Sequence, residues 1–274
     1  IVPGPRLIVT TRAIVATGSY APQRRNYHPD CCPPQGAEEA SGVNECVRAV
    51  RHQAAHGADW IKLYADYRVG ANGETVPTFS LEELKAIVGA AHDLGRPVAA
   101  HSMNDEAMRR CIDAGVDTIE HGYAGTRDTF KRMAEKNIAF LPTLTVAEAI
   151  SEYFHGYKRG GAPTPRMEDA ANAFRLAREE GVIIGCGSDV GPFPHGENAR
   201  ELEWMVKLGM SPREALQAAT SIAAKIIRRG DLGHIREGYL ADLVAVDGDT
   251  NRNISAIANV KLVMKDGAVV RGTP

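Results

Sequence analysis

The sequence predicts an α/β chain in which a parallel sheet is connected by helical crossovers. Two observations carry this reading. Apolar, β-rich runs alternate with stretches of helical period along most of the 274 residues. Helix punctuation is also explicit. Ser80-Leu81-Glu82-Glu83 and Ser211-Pro212-Arg213-Glu214 are capping boxes, the second with proline at the first helical position, and Gly57, Gly95 and Gly115 are stops.

In chain order, Arg6–Ala16 reads as a strand, followed by a Pro-, Cys- and Arg-rich loop over Gly18–Gly36. Asn44–His56 has a helical period, and Ala58–Ala65 reads as a buried strand. Gly70-Ala71-Asn72-Gly73 is a turn. The helix opened by Ser80 aligns Leu81, Leu84, Ile87, Val88 and Ala91 on one face. Strands at Pro97–His101, Val116–His121 and Ile138–Thr143 then alternate with helices begun at Asn104 and Thr126. The connection Leu144–Met167 exceeds an ordinary βα loop and reads as a lid or a disordered segment. A helix at Glu168–Glu180, a strand at Val182–Asp189 and helices at Glu197–Leu208 and after Ser211 follow. Beyond Gly230 the texture changes to short strands around an Asp266-Gly267 hairpin turn, read as a small β module. Six strands before that module suit a doubly wound sheet or most of an eight-stranded barrel, and pattern does not choose between them.

Composition narrows the function classes. Apolar residues make up 44% and charged residues 24%, which excludes a disordered or collagen-like chain. The net charge of −2 gives no electrostatic case for nucleic acid or an anionic membrane, and no apolar run is long enough to span a bilayer. Five cysteines without a C-x-x-C indicate neither a disulfide framework nor a zinc ribbon, and Cys31-Cys32 reads as a loop pair. There is no G-x-S-x-G elbow, P-loop or dinucleotide fingerprint.

Four polar residues stand at the ends of apolar runs: Lys62 in WIKLY, His101 in VAAHS, His121 in TIEHG and Asp189 in GCGSD. In a βα barrel such ends form one face, where catalytic groups gather. Two imidazoles, a carboxylate and a lysine suit one or two divalent metal ions, zinc among them. Singly, each has a plainer reading: a hydrogen-bonded core histidine, an Asp189 N-cap, a Lys62 reaching to the rim. The joint pattern is what points to a site. Tyr64 and Arg68, beyond Lys62, and His195 in GPFPHGEN are candidates for substrate contact, with Arg68 able to grip a carboxylate bidentately. His52, His56 and His92 read as helix surface or packing residues.

These segments resemble the amidohydrolase superfamily of metal-dependent hydrolases across nearly the whole chain. GADWIKLYADYR, AHS, TIEHG and GSDVGPFPHGENARELE are most similar to its imidazolonepropionase-like and Xaa-Pro dipeptidase (prolidase-like) branch, and GHIREGYLADLVAVDGD resembles the family's return into a small β-sandwich. The resemblance implies a (β/α)8 TIM-type barrel, here strands three to eight, over residues 1–230, with a C-terminal piece of the sandwich over 231–274. It implies that Lys62 is carboxylated and bridges two metals, that His101 and His121 bind the second, and that Asp189 binds the first and acts as general base on a bridging hydroxide. The implied reaction is cleavage of an amide or peptide bond in a dipeptide or N-acyl amino acid. A cyclic amide or lactone hydrolase is the alternative within the family.

The chain departs from the family pattern in two places. It contains no H-x-H, which the family carries on its first barrel strand, and Ala100 stands where some prolidase-like members place tyrosine. The start at Ile1, without methionine, reads as a cut. A non-catalytic truncated barrel is therefore a further alternative, and an open barrel edge leads us to expect self-association into a homo-oligomer.

Overall fold

The computed structural model describes residues 4–20, 27, 28, 30, 31 and 36–272. Most of the loop read over Gly18–Gly36, with Cys32, lies outside the described residues. The chain divides into two compact units. One spans residues 6–140 and 179–182, and the other residues 4–5, 141–178 and 183–272.

The first unit is built on a six-stranded sheet. Its strands, in spatial order, are β2 (Glu38–Ala40), β1 (Ile14–Ala16), β3 (Ile61–Tyr64), β6 (Val98–Ser102), β7 (Thr118–His121) and β8 (Ala139–Leu141). The pairings of β2 through β7 are parallel, with Lys62 opposite Ala99, Tyr64 opposite His101, His101 opposite Glu120 and Ser102 opposite His121. Helices α1 (Gly42–Ala55), α2 (Leu81–Asp93), α3 (Asp105–Ala114) and α4 (Arg127–Glu135) are the crossovers. Ile61, Leu63, Val98, Ala100 and Ile119 from the sheet, and Leu84, Ile87, Met108, Ile112 and Phe130 from the helices, are wholly buried.

The punctuation acts as the sequence indicates. Ser80 Oγ accepts from Glu83 N at 3.2 Å, and Glu83 Oε2 accepts from Ser80 N at 2.8 Å. Asn104 and Thr126 cap α3 and α4, and Gly115 ends α3 in the left-handed region. Ser80→Ala is expected to cost about 0.5–2 kcal/mol in chemical denaturation, since the Glu83 backbone N–H loses its acceptor.

Three sequence expectations are corrected here. The sixth strand is not Val182–Asp189 but β2, an unpromising Glu-Glu-Ala; among the described residues the 182–189 run makes only an isolated bridge, at Ile184. A side chain on Gly185 or Gly187 would run into Ile226 Cδ1 at 2.6 Å or Leu141 Cδ2 at 2.8 Å, so glycine is needed where β formers would otherwise support a ladder. The strand read over Arg6–Ala16 shortens to β1. Its earlier part forms no regular strand, although Val9 bonds Asp59 and Trp60, and Thr11 turns to φ +54°. The turn at Gly70–Gly73 joins a hairpin that the sequence reading missed, β4 (Asp66–Arg68) against β5 (Thr75–Pro77).

In the second unit, the segment expected to be a lid or disordered holds a helix, α5 (Leu144–His155). Leu144 through Ala149 and Ser151 are buried, whereas Tyr153 and Phe154 at its end are exposed. Then come α6 (Pro165–Glu179), α7 (Arg200–Lys207), α8 (Pro212–Ala219), which starts at the second capping box, and α9 (Ser221–Ile226). An antiparallel sheet of β9 (Leu243–Val246), β10 (Val260–Lys265) and β11 (Ala268–Arg271) closes the chain. Its hairpin turns on Asp266 and Gly267, both at positive φ, as a two-residue type I′ loop requires. No helix among the described residues is long and apolar enough to cross a membrane.

Candidate active site

The carboxyl ends of β3, β6 and β7 bring four of the sequence candidates together, Lys62, Tyr64, His101 and His121. In a strand, alternate residues share a face. Lys62 and Tyr64 therefore point the same way, as do Thr118 and Glu120 on β7, and His101 sits between Tyr64 and Glu120 in the register. Lys62 Nζ forms an ion pair with Glu120, whose other oxygen accepts from Thr118 Oγ1 at 2.6 Å. Tyr64 stacks on the His101 ring with centroids 4.5 Å apart and planes 22° from parallel, and Tyr20 packs edge-on against Tyr64 at 5.0 Å.

Regular alternation would carry His121 to the opposite face, with Ile119. Instead His121 adopts φ +72°, and its ring meets that of His101 at 4.5 Å, 66° from parallel. A left-handed backbone at a non-glycine residue costs about 1–3 kcal/mol and persists where the surroundings enforce it. Here it turns a second imidazole toward the first.

Behind His101 lies a residue that the sequence reading did not single out. Asp66 is fully buried at the start of β4. Its Oδ2 accepts from Ser102 Oγ at 3.1 Å, Met103 N at 2.7 Å and Asn104 N at 2.8 Å. Its Oδ1 has no hydrogen bond and lies 3.5 Å from His101 Nε2. A fixed carboxylate facing one ring nitrogen orients the imidazole and turns the other nitrogen, Nδ1, away from it. The available signal was a carboxylate just past an apolar strand, in Tyr64-Ala65-Asp66. Glu120 was likewise missed, although it stands beside His121 in TIEHG.

Among the described residues, no group of three or more His, Cys, Asp or Glu side chains is placed to hold a metal ion. The donor set nonetheless suits one: two adjacent imidazoles, a lysine that gains ligating oxygens on carboxylation, and an orphan buried carboxylate oxygen behind one ring. In the structure the Lys62 amine pairs with Glu120.

The other unit holds Asp189 and His195. Asp189 is exposed at the end of the 182–189 run, with φ +54°. Next to it, Ser188 Oγ accepts from Asn198 Nδ2 at 2.9 Å. His195 is exposed in the following loop. In the same unit the wholly buried Glu201 accepts from Leu144 N at 2.8 Å and from Thr145 N and Oγ1, both at 2.7 Å. Burial pushes its carboxyl up to about 7. The three hydrogen bonds oppose that rise, and the charge of Asp189 adds to it. Arg68 lies exposed on the β4–β5 hairpin of the first unit.

Polar groups gathered at the carboxyl ends of parallel strands place the chain among α/β proteins that carry their sites there. The Amidohydrolase family model matches residues 2–270, and the chain belongs to that family. It is similar to a Xaa-Pro dipeptidase solved with methionine bound in the active site, with 35% identity and a TM-score of 0.88 over 99% of this chain and 69% of that one. An ochratoxinase of Aspergillus niger is 33% identical over 244 residues, 85% of this chain and 50% of its own. An uncharacterized protein of Mycobacterium tuberculosis is 31% identical over 236 residues, 84% of this chain and 63% of its own. The chain thus spans about half to two thirds of the length of these curated relatives.

Proposed function

We propose that the chain forms the site-bearing part of a metal-dependent hydrolase that cleaves an amide or peptide bond in a dipeptide or N-acyl amino acid. The observation that carries this reading is the pair of facing imidazoles on adjacent strand ends, His101 and His121, with the buried Asp66 carboxylate behind the first. Family membership and the similarity to a dipeptidase support it. The six-stranded sheet, read this way, is an arc of a TIM-type barrel within residues 1–230, and β9–β11 are part of a small β-sandwich within 231–274. Self-association into a homo-oligomer belongs to the same reading.

His101, His121 and a carboxylated Lys62 would hold a divalent ion, zinc by preference, with Asp189 a ligand of a second. A bound ion polarises the scissile carbonyl and lowers the pKa of water. Asp189 takes the proton of the attacking water and delivers it to the leaving amine. Arg68 pairs with the substrate's terminal carboxylate, Tyr64 offers its ring as an apolar wall beside His101, and His195 contacts the substrate.

Elemental analysis of protein purified without chelator tests the ligand set. His121→Ala should lose metal relative to wild type. His92→Ala should not, because that ring instead bonds Asp117, 2.9 Å away, whose same oxygen holds Val98 N. Equal metal content in the two variants would overturn the assignment, and a screen of dipeptides and N-acyl amino acids on metal-loaded protein tests the reaction.

A further inference from the structure

At the C-terminal end of α1, away from the groups discussed above, His52 in the last turn and His56 at the C-cap are one helical turn apart. Their rings meet edge to face with centroids 4.4 Å apart. His52 is 41% exposed at its side chain and His56 is exposed.

The hydrogen bonds fix which nitrogen of each ring carries the proton. Arg12 N is a donor only, so Gln53 Oε1, 3.0 Å from it, is the acceptor and Gln53 Nε2 the donor toward Glu38. The same Glu38 oxygen, Oε2, lies 2.7 Å from His52 Nδ1, and Arg48 Nη1 donates to Oε1 at 3.2 Å. A carboxylate accepts, so His52 Nδ1 carries the hydrogen and Nε2 keeps its lone pair. His56 Nδ1 lies 2.8 Å from the carbonyl oxygen of His52, which can only accept, so His56 Nε2 also keeps its lone pair. Both neutral imidazoles are thus locked as Nε2 ligands, one of them backed by a buried carboxylate, the arrangement that orients and strengthens histidine ligands of metals.

Two imidazoles in cis positions on one ion, with metal–nitrogen bonds of about 2.0–2.1 Å, bring their ring centres to roughly 4.5–5 Å, close to the spacing in place here. The pair also sits at the C-terminal end of the helix, where the helix dipole favours positive charge. We infer that His52 and His56 form a surface site for a borderline divalent transition metal such as Ni²⁺, Cu²⁺ or Zn²⁺, with solvent completing the coordination. Imidazole suits these ions, whereas Mg²⁺ and Ca²⁺ require oxygen ligands and would not bind. This site is independent of the proposed hydrolase site and shares no ligand with it.

Calorimetric titration with Ni²⁺ alone tests it, using wild type, His56→Ala, Glu38→Gln and His121→Ala. Wild type should show a site that His56→Ala weakens by at least about tenfold and Glu38→Gln by about 10–100-fold. His121→Ala should retain that site, which separates its failure from failure of the hydrolase reading. Glu38→Gln also touches the β2 packing, whereas His56 is exposed and its Nδ1 bonds the carbonyl of His52 one turn back, so the His56 variant decides. Its circular dichroism should match wild type, and unchanged Ni²⁺ affinity in a folded His56→Ala protein overturns the inference.

Discussion

Asp189→Asn should lower kcat by about 10²–10⁴-fold while leaving the melting temperature nearly unchanged. That range is what a positioned general base contributes. Asparagine keeps the shape of the side chain but cannot take a proton at neutral pH. It is also a residue that tolerates the left-handed backbone, so the φ of +54° at this position survives the change. Asp189 is exposed, so its own side chain is not part of the core. The measurement is steady-state kinetics on a cleaved dipeptide or N-acyl amino acid, with thermal unfolding of both proteins as the control. A drop of less than tenfold would remove Asp189 from the role of base. A large drop accompanied by a large fall in melting temperature would make the residue structural instead.

Local rules made much of the framework readable. Ser80 and Ser211 announce their helices because a cap is formed by residues three apart. Lys62, His101 and His121 stood out jointly, as polar side chains at the ends of three successive apolar runs. What could not be read locally was fixed by distant partners. Helix α5 begins where Glu201 accepts from Leu144 and Thr145. Residues 144–149 are buried on every side, so no amphipathic period marks them as helix. Strand β2 has little intrinsic preference for a sheet. It forms where Glu38 N donates to Ala13 O while its carboxylate is satisfied by α1. Asp66 was hidden for the same reason. Its importance lies in backbone donors at Met103 and Asn104 and in the His101 ring, none of them near it in sequence. The face that His121 occupies could not be read either, because the pleat predicts the opposite one and a single positive φ reverses it.

The wild-type protein should lose stability as pH rises from about 4.5 to above 7, and Glu201→Gln should remove that part of the slope. Burial holds the Glu201 carboxyl at about 7 in the folded chain, against an ordinary value of 4.5. The folded state therefore binds the proton more tightly than the unfolded state does. The contribution is fully present below 4.5 and is lost as pH passes through about 7. A rise of this size corresponds to about 3 kcal/mol. Glutamine cannot ionise, so its pH profile lacks the term. It also replaces one carboxyl oxygen with an amide donor. The Thr145 hydroxyl can rotate to accept from that donor, but a backbone N–H at the start of α5 loses its acceptor, at about 1–3 kcal/mol. The variant should thus be clearly less stable than wild type at pH 5, and the gap should close or invert by pH 8. Urea denaturation of both proteins at four pH values between 5 and 8 measures this. The difference between the two curves cancels what the two proteins share, and parallel curves would show that Glu201 is already ionised throughout.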